Sequence, residues 1–205
     1  MKRGVKQSFR HNGKKAVKTT GSVRIISGQF RGRKLPVIDV TGLRPTTDRN
    51  KEMLFNWLMQ SIAGARCLDV FAGSGGLGFE ALSRYAEHCT YIELDTKAAH
   101  QLKSNAELLS LSAEQFSIKQ GNALDVLKQL QQPYDLVFLD PPFNKELLPN
   151  VIDRIVQQGL LKEEGLIYIE CEPSAGTYKV PSQWQLLKEK QSTQILSRLY
   201  KQVAP

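Results

Sequence analysis

Arg66-Cys-Leu-Asp69-Val-Phe71-Ala-Gly73-Ser74-Gly75-Gly-Leu-Gly78 is the stretch from which the fold is read. An apolar run, Cys67 to Phe71, carries one acid at Asp69 and then breaks into four glycines within six positions. Beyond Gly78 apolar residues recur at helical spacing, at Phe79, Leu82 and Ala86, with Ala81 and Tyr85 alongside. Strand, glycine turn and helix in that order predict the opening of a doubly wound α/β sheet. Glycines 73, 75 and 78 permit a tight turn, approach of a ligand to bare backbone, and close helix–strand packing. By itself, the Gly-x-Gly-x-x-Gly spacing also fits a glycine-rich surface loop.

Two later stretches narrow the reading. The apolar run Thr90-Tyr91-Ile92 ends at Glu93, 20 residues beyond Gly73, where an acid at a strand end meets ribose hydroxyls. The run Leu136-Val-Phe-Leu139 ends in Asp140-Pro141-Pro142-Phe143. Two successive prolines remove two backbone donors and fix φ twice, so neither a helix nor a paired strand continues through them. At the carboxyl end of a central strand, beside the glycine loop, they form a rigid rim to the ligand crevice. Asp140 contributes one acceptor, the Pro141 carbonyl a second, and Phe143 a flat apolar face. That set suits a planar ring bearing an exocyclic amino group. Read alone, the same tetrapeptide is also a plain strand-ending turn.

Charge is unevenly distributed. Residues 1–49 hold 13 Lys/Arg against Asp39 and Asp48, a balance of +11, while the remaining chain carries −3; together they make the net +8. A mildly acidic body with a cationic leading quarter implies a polyanionic partner. No apolar run approaches the ~18 residues that span a membrane, and the basic N-terminus has no apolar segment behind it, so neither a membrane span nor a secretory signal is expected. Cys67, Cys89 and Cys171 show no metal-ligand spacing. They read as buried reduced thiols of a cytoplasmic protein without a bound metal.

In chain order, residues 1–21 carry seven Lys/Arg and no acid, and are expected to form a disordered basic arm. Residues 22–45 are expected to hold a small hairpin, with short strands on either side of Ser27-Gly28. Strand alternation puts Arg31 and Arg33 on one face and Phe30 on the other. Residues 46–205 are expected to form the main domain. Its first helix starts near Thr47 or Asp48 and presents Met53, Leu54, Trp57, Leu58 and Ile62 as an apolar stripe. Further helices are expected over Thr96–Ser110, Leu124–Leu130 and Lys145–Gln158. Strands are expected over Phe116–Lys119, Leu136–Leu139 and Gly165–Glu170. Trp184–Lys190 and Gln194–Lys201 complete the pattern as an antiparallel hairpin at the sheet edge.

The motifs Asp69-x-Phe71-x-Gly73-x-Gly75-x-x-Gly78 and Asp140-Pro-Pro-Phe143 resemble those of S-adenosyl-L-methionine-dependent amino methyltransferases. With Arg24 to Val37, Leu43-Arg44-Pro-Thr-Thr-Asp-Arg49 and Leu54-Phe-Asn-Trp-Leu58 included, the chain over residues 22–202 is similar to the bacterial 16S rRNA (guanine(966)-N(2))-methyltransferase family. Only the basic leader falls outside the resemblance. The resemblance implies a Rossmann-like methyltransferase sheet with a reversed final strand. It also implies S-adenosyl-L-methionine as cofactor and one guanine of 16S ribosomal RNA in the assembled or assembling small subunit as target, met by a monomeric cytoplasmic enzyme.

On that resemblance Asp140 and the Pro141 carbonyl would hold the target amine while Phe143 stacks on the extruded base. The backbone from Phe71 through Gly73 and Ser74 to Gly75 would hold the methionine end of the cofactor, with Asp69 on that end or on the loop itself. Glu93 would hold the ribose, and Asn122 with the amide of Ala123 the adenine edge, next to Asp140. Arg24, Arg31, Arg33, Lys34 and Arg44 would grip RNA. A DNA adenine-N6 methyltransferase shares the Asp-Pro-Pro-Phe logic, although no separate recognition domain is visible. A protein glutamine methyltransferase usually has Asn at position 140. A nicotinamide dehydrogenase shares only the glycines, and a non-catalytic nucleic-acid-binding module has no use for Asp140.

Overall fold

The computed structural model describes residues 19–38, 48–143, 145–175 and 177–204. Its centre is a seven-stranded sheet built from β3 (Arg66–Asp69), β4 (His88–Glu93), β5 (Phe116–Gln120), β6 (Tyr134–Leu139), β7 (Leu161–Cys171), β8 (Trp184–Gln191) and β9 (Leu196–Gln202), in the order β5-β4-β3-β6-β7-β9-β8. Strands β5 to β7 of that order are parallel, and β9 and β8 are antiparallel. The chain moves outward from β3 to β4 and β5, then returns to the other side of β3 as β6. That reversal opens a crevice at the carboxyl ends of β3 and β6, the position at which open α/β sheets bind ligands.

Both faces of the sheet are covered, so the middles of the central strands are apolar on both faces. Cys67, Leu136, Phe138, Leu166 and Tyr168 point into one core cluster, shared with α1 (Asp48–Trp57), α2 (Gly76–Ser83) and α3 (Thr96–Leu108). Leu68, Val137, Leu139, Ile167 and Ile169 point into the other, shared with α4 (Ala123–Leu127) and α5 (Leu148–Gln157). Leu54, Leu58 and Ile62 of the predicted stripe are buried, and Trp57 is partly buried against the first cluster.

Helix α2 begins at Gly76, three residues before Phe79, where the apolar periodicity starts, so Gly78 lies inside it. A Cβ on Gly78 would stand 2.2 Å from the Tyr91 ring, which is the close helix–strand approach that the glycine pattern implies. Gly75, just before the helix, has φ +76°.

The N-terminal hairpin pairs β1 (Thr19–Arg24) with β2 (Lys34–Ile38). Strand β1 begins inside the segment expected as a disordered arm. Arg31 and Arg33 lie in the turn and not on a strand face, because Gly28 and Gly32, both at positive φ, close a wide loop. Val23, Ile25, Leu35 and Val37 join the first core cluster, and the loop is latched to α2. The buried Glu80 carboxylate accepts from the Ile26 and Ser27 amides at 2.7 and 3.0 Å and from Arg84 Nε at 2.8 Å. Ser83 Oγ accepts from the Phe30 amide at 3.0 Å and donates to the Ser27 carbonyl at 2.5 Å.

Candidate active site

A cavity of about 770 Å³ opens at the carboxyl ends of β5, β4, β3, β6 and β7, and its walls come from these strand ends and the loops that follow them. The floor is the loop between β3 and α2. Gly73, at φ +51°, donates its amide to Glu93 Oε2 at 2.7 Å, and Glu93 Oε1 accepts from the Asp95 amide at 2.8 Å. The glycine loop and the end of the next strand are thereby one rigid unit. Asp69 lies beneath it, only 2% exposed, with Oδ2 accepting from the Gly78 amide at 3.2 Å. Burial pushes the Asp69 carboxyl up to about 7; the Gly78 and Phe71 amides pull against that rise and the Glu93 charge adds to it.

Asn122 caps α4, its Oδ1 accepting from the Leu124 amide at 2.9 Å, and with Ala123 it lines the cavity beyond Glu93. Across the floor, Asp140, Pro141 and Phe143 form the rim that follows β6, with Pro141 buried and Phe143 half-buried. The side chains of Phe71 and Ser74 also line the space. Gly75 does not: its missing Cβ faces Phe79 and Leu102, at 2.5 and 2.6 Å, and Gly76 lines the cavity in its place.

The model of the family described as conserved hypothetical protein 95 matches residues 23–201. Ribosomal RNA small subunit methyltransferase D of Escherichia coli is 49% identical over 185 residues, covering 90% of this chain and 92% of that protein. The protein of the same name from Haemophilus influenzae is 52% identical over 182 residues, covering 88% and 94%. The chain belongs to the ribosomal RNA small subunit methyltransferase D family. Methyltransferase is thus its enzyme class. The solved structure of yhhF from Escherichia coli, 46% identical, matches 90% of this chain and the whole of that one with a TM-score of 0.83. HI0767 from Haemophilus influenzae, 47% identical, does so with a TM-score of 0.79.

None of the described basic residues expected to grip RNA lines the cavity. Arg24, Arg31, Arg33 and Lys34 are all exposed, and Arg24 and Lys34 are cross-strand partners on the outer face of the hairpin. Arg33 donates to the Leu108 carbonyl at 2.8 Å, at the end of α3 remote from the cavity. Helix α3 starts just past Glu93, and at 1.5 Å per residue its far end is ~20 Å away. Arg44 lies outside the described residues. None of the described helices is long and apolar enough to cross a membrane.

Among the described residues, the sheet holds one cavity-lining acid to which the sequence reading gives no role. Glu170, 3% exposed, ends the apolar run of β7 just as Glu93 and Asp140 end theirs. That shared pattern was the available signal.

Proposed function

We propose that this chain transfers the methyl group of S-adenosyl-L-methionine to the exocyclic N2 of one guanine in 16S ribosomal RNA, presented by the assembled or assembling small subunit in the cytoplasm. The observation that carries the reading is the opening of the glycine loop and the Asp140-Pro-Pro-Phe143 rim into one cavity at the switch point of the sheet. The names of relatives about half identical to this chain support the RNA class of substrate.

The residues present fit the cofactor. Glu93 keeps lone pairs on both oxygens beyond those that hold Gly73 and Asp95, enough to accept from a ribose diol. Asn122 and the backbone around Ala123 offer hydrogen-bonding partners to an adenine edge, and the bare backbone of Gly73 and Gly76 admits the methionine end. Bound there, S-adenosyl-L-methionine would supply an electrophilic methyl carbon to the amine, with a neutral thioether as the leaving group.

The protein's part is to prepare the amine. Guanine N2 is a weak nucleophile because its lone pair is drawn into the ring. The Asp140 carboxylate and the Pro141 carbonyl accept from its two N–H groups, which directs the lone pair toward the methyl. Both are negative or dipolar acceptors fixed by a rigid proline turn, so they stabilise the positive charge that develops on nitrogen without reorganising. The proton that N2 gives up passes to the Asp140 carboxylate and from there to solvent. Phe143 stacks on the base once it has left its own helix, a contact worth ~1–3 kcal/mol.

The test is incorporation of labelled methyl groups into small subunits from cells lacking this protein, followed by nuclease digestion and mass spectrometry. The reading predicts a single N2-methylguanine in the small-subunit RNA. Methyl groups on adenine, on DNA or on protein would overturn it.

A further inference from the structure

Glu170 lines the cavity on the Asp140 side. The parallel register that pairs Leu139 with Ile169 sets Asp140 beside Glu170 one step further on, at the carboxyl ends of β6 and β7. The side chain is almost wholly buried and yet lines the same cavity. It lies on the far side of Asp140 from Glu93 and Asn122, since the strands run β4, β3, β6, β7 across the sheet. The cofactor residues therefore occupy one end of the cavity and Glu170 the other, with Asp140 between.

Its orientation is fixed from below. The Tyr168 hydroxyl, two residues back on the same face of β7, donates to Glu170 Oε2 at 2.5 Å and lies 3.1 Å from Ser197 Oγ on β9. Burial, followed by the Glu170 charge, holds the Tyr168 phenol well above its ordinary pKa, so it remains a donor. Tyr168 has one proton to give, so Ser197 in turn donates to the phenol oxygen. A chain of this kind, Ser197 to Tyr168 to Glu170, holds a buried carboxylate at a strand end in one direction.

Resting on the proposed N2-guanine activity, we propose that Glu170 accepts the N1–H of the target guanine, next to the amine held by Asp140, and so selects guanine by its Watson–Crick edge. Guanine presents N1–H and the N2 amino group side by side, a row of donors that two adjacent carboxylates match. A purine that carries the amino group but has an N1 lone pair meets Glu170 with an acceptor against an acceptor. Sites built to hydrogen-bond a substrate N–H reject analogues lacking it far more strongly than apolar pockets reject a missing methylene. Specificity for the base is then built into the sheet, and the choice of nucleotide is left to the RNA-binding surface.

The probe is 2-aminopurine, which keeps the exocyclic N2 amine and lacks the N1 proton. Small subunits are reconstituted with ligated RNA carrying guanine or 2-aminopurine at the methylated position, and methyl transfer is measured under single-turnover conditions. The wild-type protein is expected to methylate guanine at least 100-fold faster. Glu170→Gln, whose carboxamide can donate to N1, is expected to narrow that ratio to within about tenfold. Comparable wild-type rates on the two bases would overturn the inference, and they do so whether or not the variant folds. An unchanged ratio in a Glu170→Gln protein that still binds S-adenosyl-L-methionine by calorimetry would also overturn it. The failures separate: if no guanine is methylated, the activity itself is wrong, whereas methylation of guanine without discrimination removes only the role of Glu170.

Discussion

The Gly73 amide is bonded to the Glu93 carboxylate at 2.7 Å, which ties the glycine loop of one strand to the end of the next. An acid at this position does more than wait for a ribose: it holds the loop on which the methionine end would lie. Glu93→Ala is expected to release the loop and lower affinity for S-adenosyl-L-methionine by 10- to 100-fold, in line with the ~1.5–3 kcal/mol of a hydrogen bond to a charged group. Calorimetric titration of the cofactor checks this, with Glu93→Gln expected to lie between the two. An affinity for Glu93→Ala equal to the wild type would remove the role.

Gly78 packs under the Tyr91 ring, so a side chain there must push a helix off the sheet. Gly78→Ala is expected to cost ~1–3 kcal/mol by overpacking. Gly21→Ala, at a site where a Cβ meets nothing within 4 Å, is expected to change stability by less than ~0.5 kcal/mol. Urea denaturation of the two variants makes the comparison, and similar midpoints would contradict it.

Asp69 contributes a pH dependence with a definite sign. Its folded pKa, near 7, lies above the ordinary carboxyl value, so the folded state binds the proton more tightly than the unfolded chain. That contribution to stability is complete below about pH 4 and is lost as pH rises through about 7. Relative to the wild type, Asp69→Asn should therefore gain roughly 3 kcal/mol of unfolding free energy between pH 5 and pH 8. Parallel urea titrations at the two pH values measure the difference, and a pH-independent gap between variant and wild type would refute it.

As RNA contacts, the outward face and tip of the hairpin would bear on affinity and not on chemistry. Arg31→Ala with Arg33→Ala is expected to weaken binding to the small subunit and to reduce the slope of log affinity against log salt by ~1–2, with single-turnover methyl transfer at saturation unchanged. Filter binding across a salt series tests it; an unchanged slope would mean that these arginines do not meet phosphate.

Much of the candidate site is readable in the sequence because acids mark the apolar strands that feed it, Asp69 within its run and Glu93 and Asp140 at the ends of theirs. Asp69, Glu93 and Asp140 are visible this way, and the carboxyl-end rule brings them together without coordinates. Glu170 obeys the same pattern, but its meaning lies in being set beside Asp140, and strand register across β6 and β7 is a tertiary fact. Periodicity starts α2 too late because Gly76 and Gly78 are poor helix formers, and packing beneath Tyr91 outweighs that propensity. Period-2 alternation places Arg31 and Arg33 on a strand because it cannot register that Gly28 and Gly32 turn the chain. The bonds that close the loop, Gly32 to the Ile25 carbonyl and Ile25 to the Arg33 carbonyl, are both 2.9 Å.

The most direct measurement is mass spectrometry of small-subunit RNA from cells in which Asp140→Ala replaces the wild-type protein, with cofactor binding by the purified variant confirmed alongside. If Asp140 holds the target amine, the variant binds S-adenosyl-L-methionine but one guanine of the RNA lacks its N2 methyl, and the wild-type gene restores it. A fully methylated guanine in the Asp140→Ala cells would contradict a nucleobase held at the rim of this sheet.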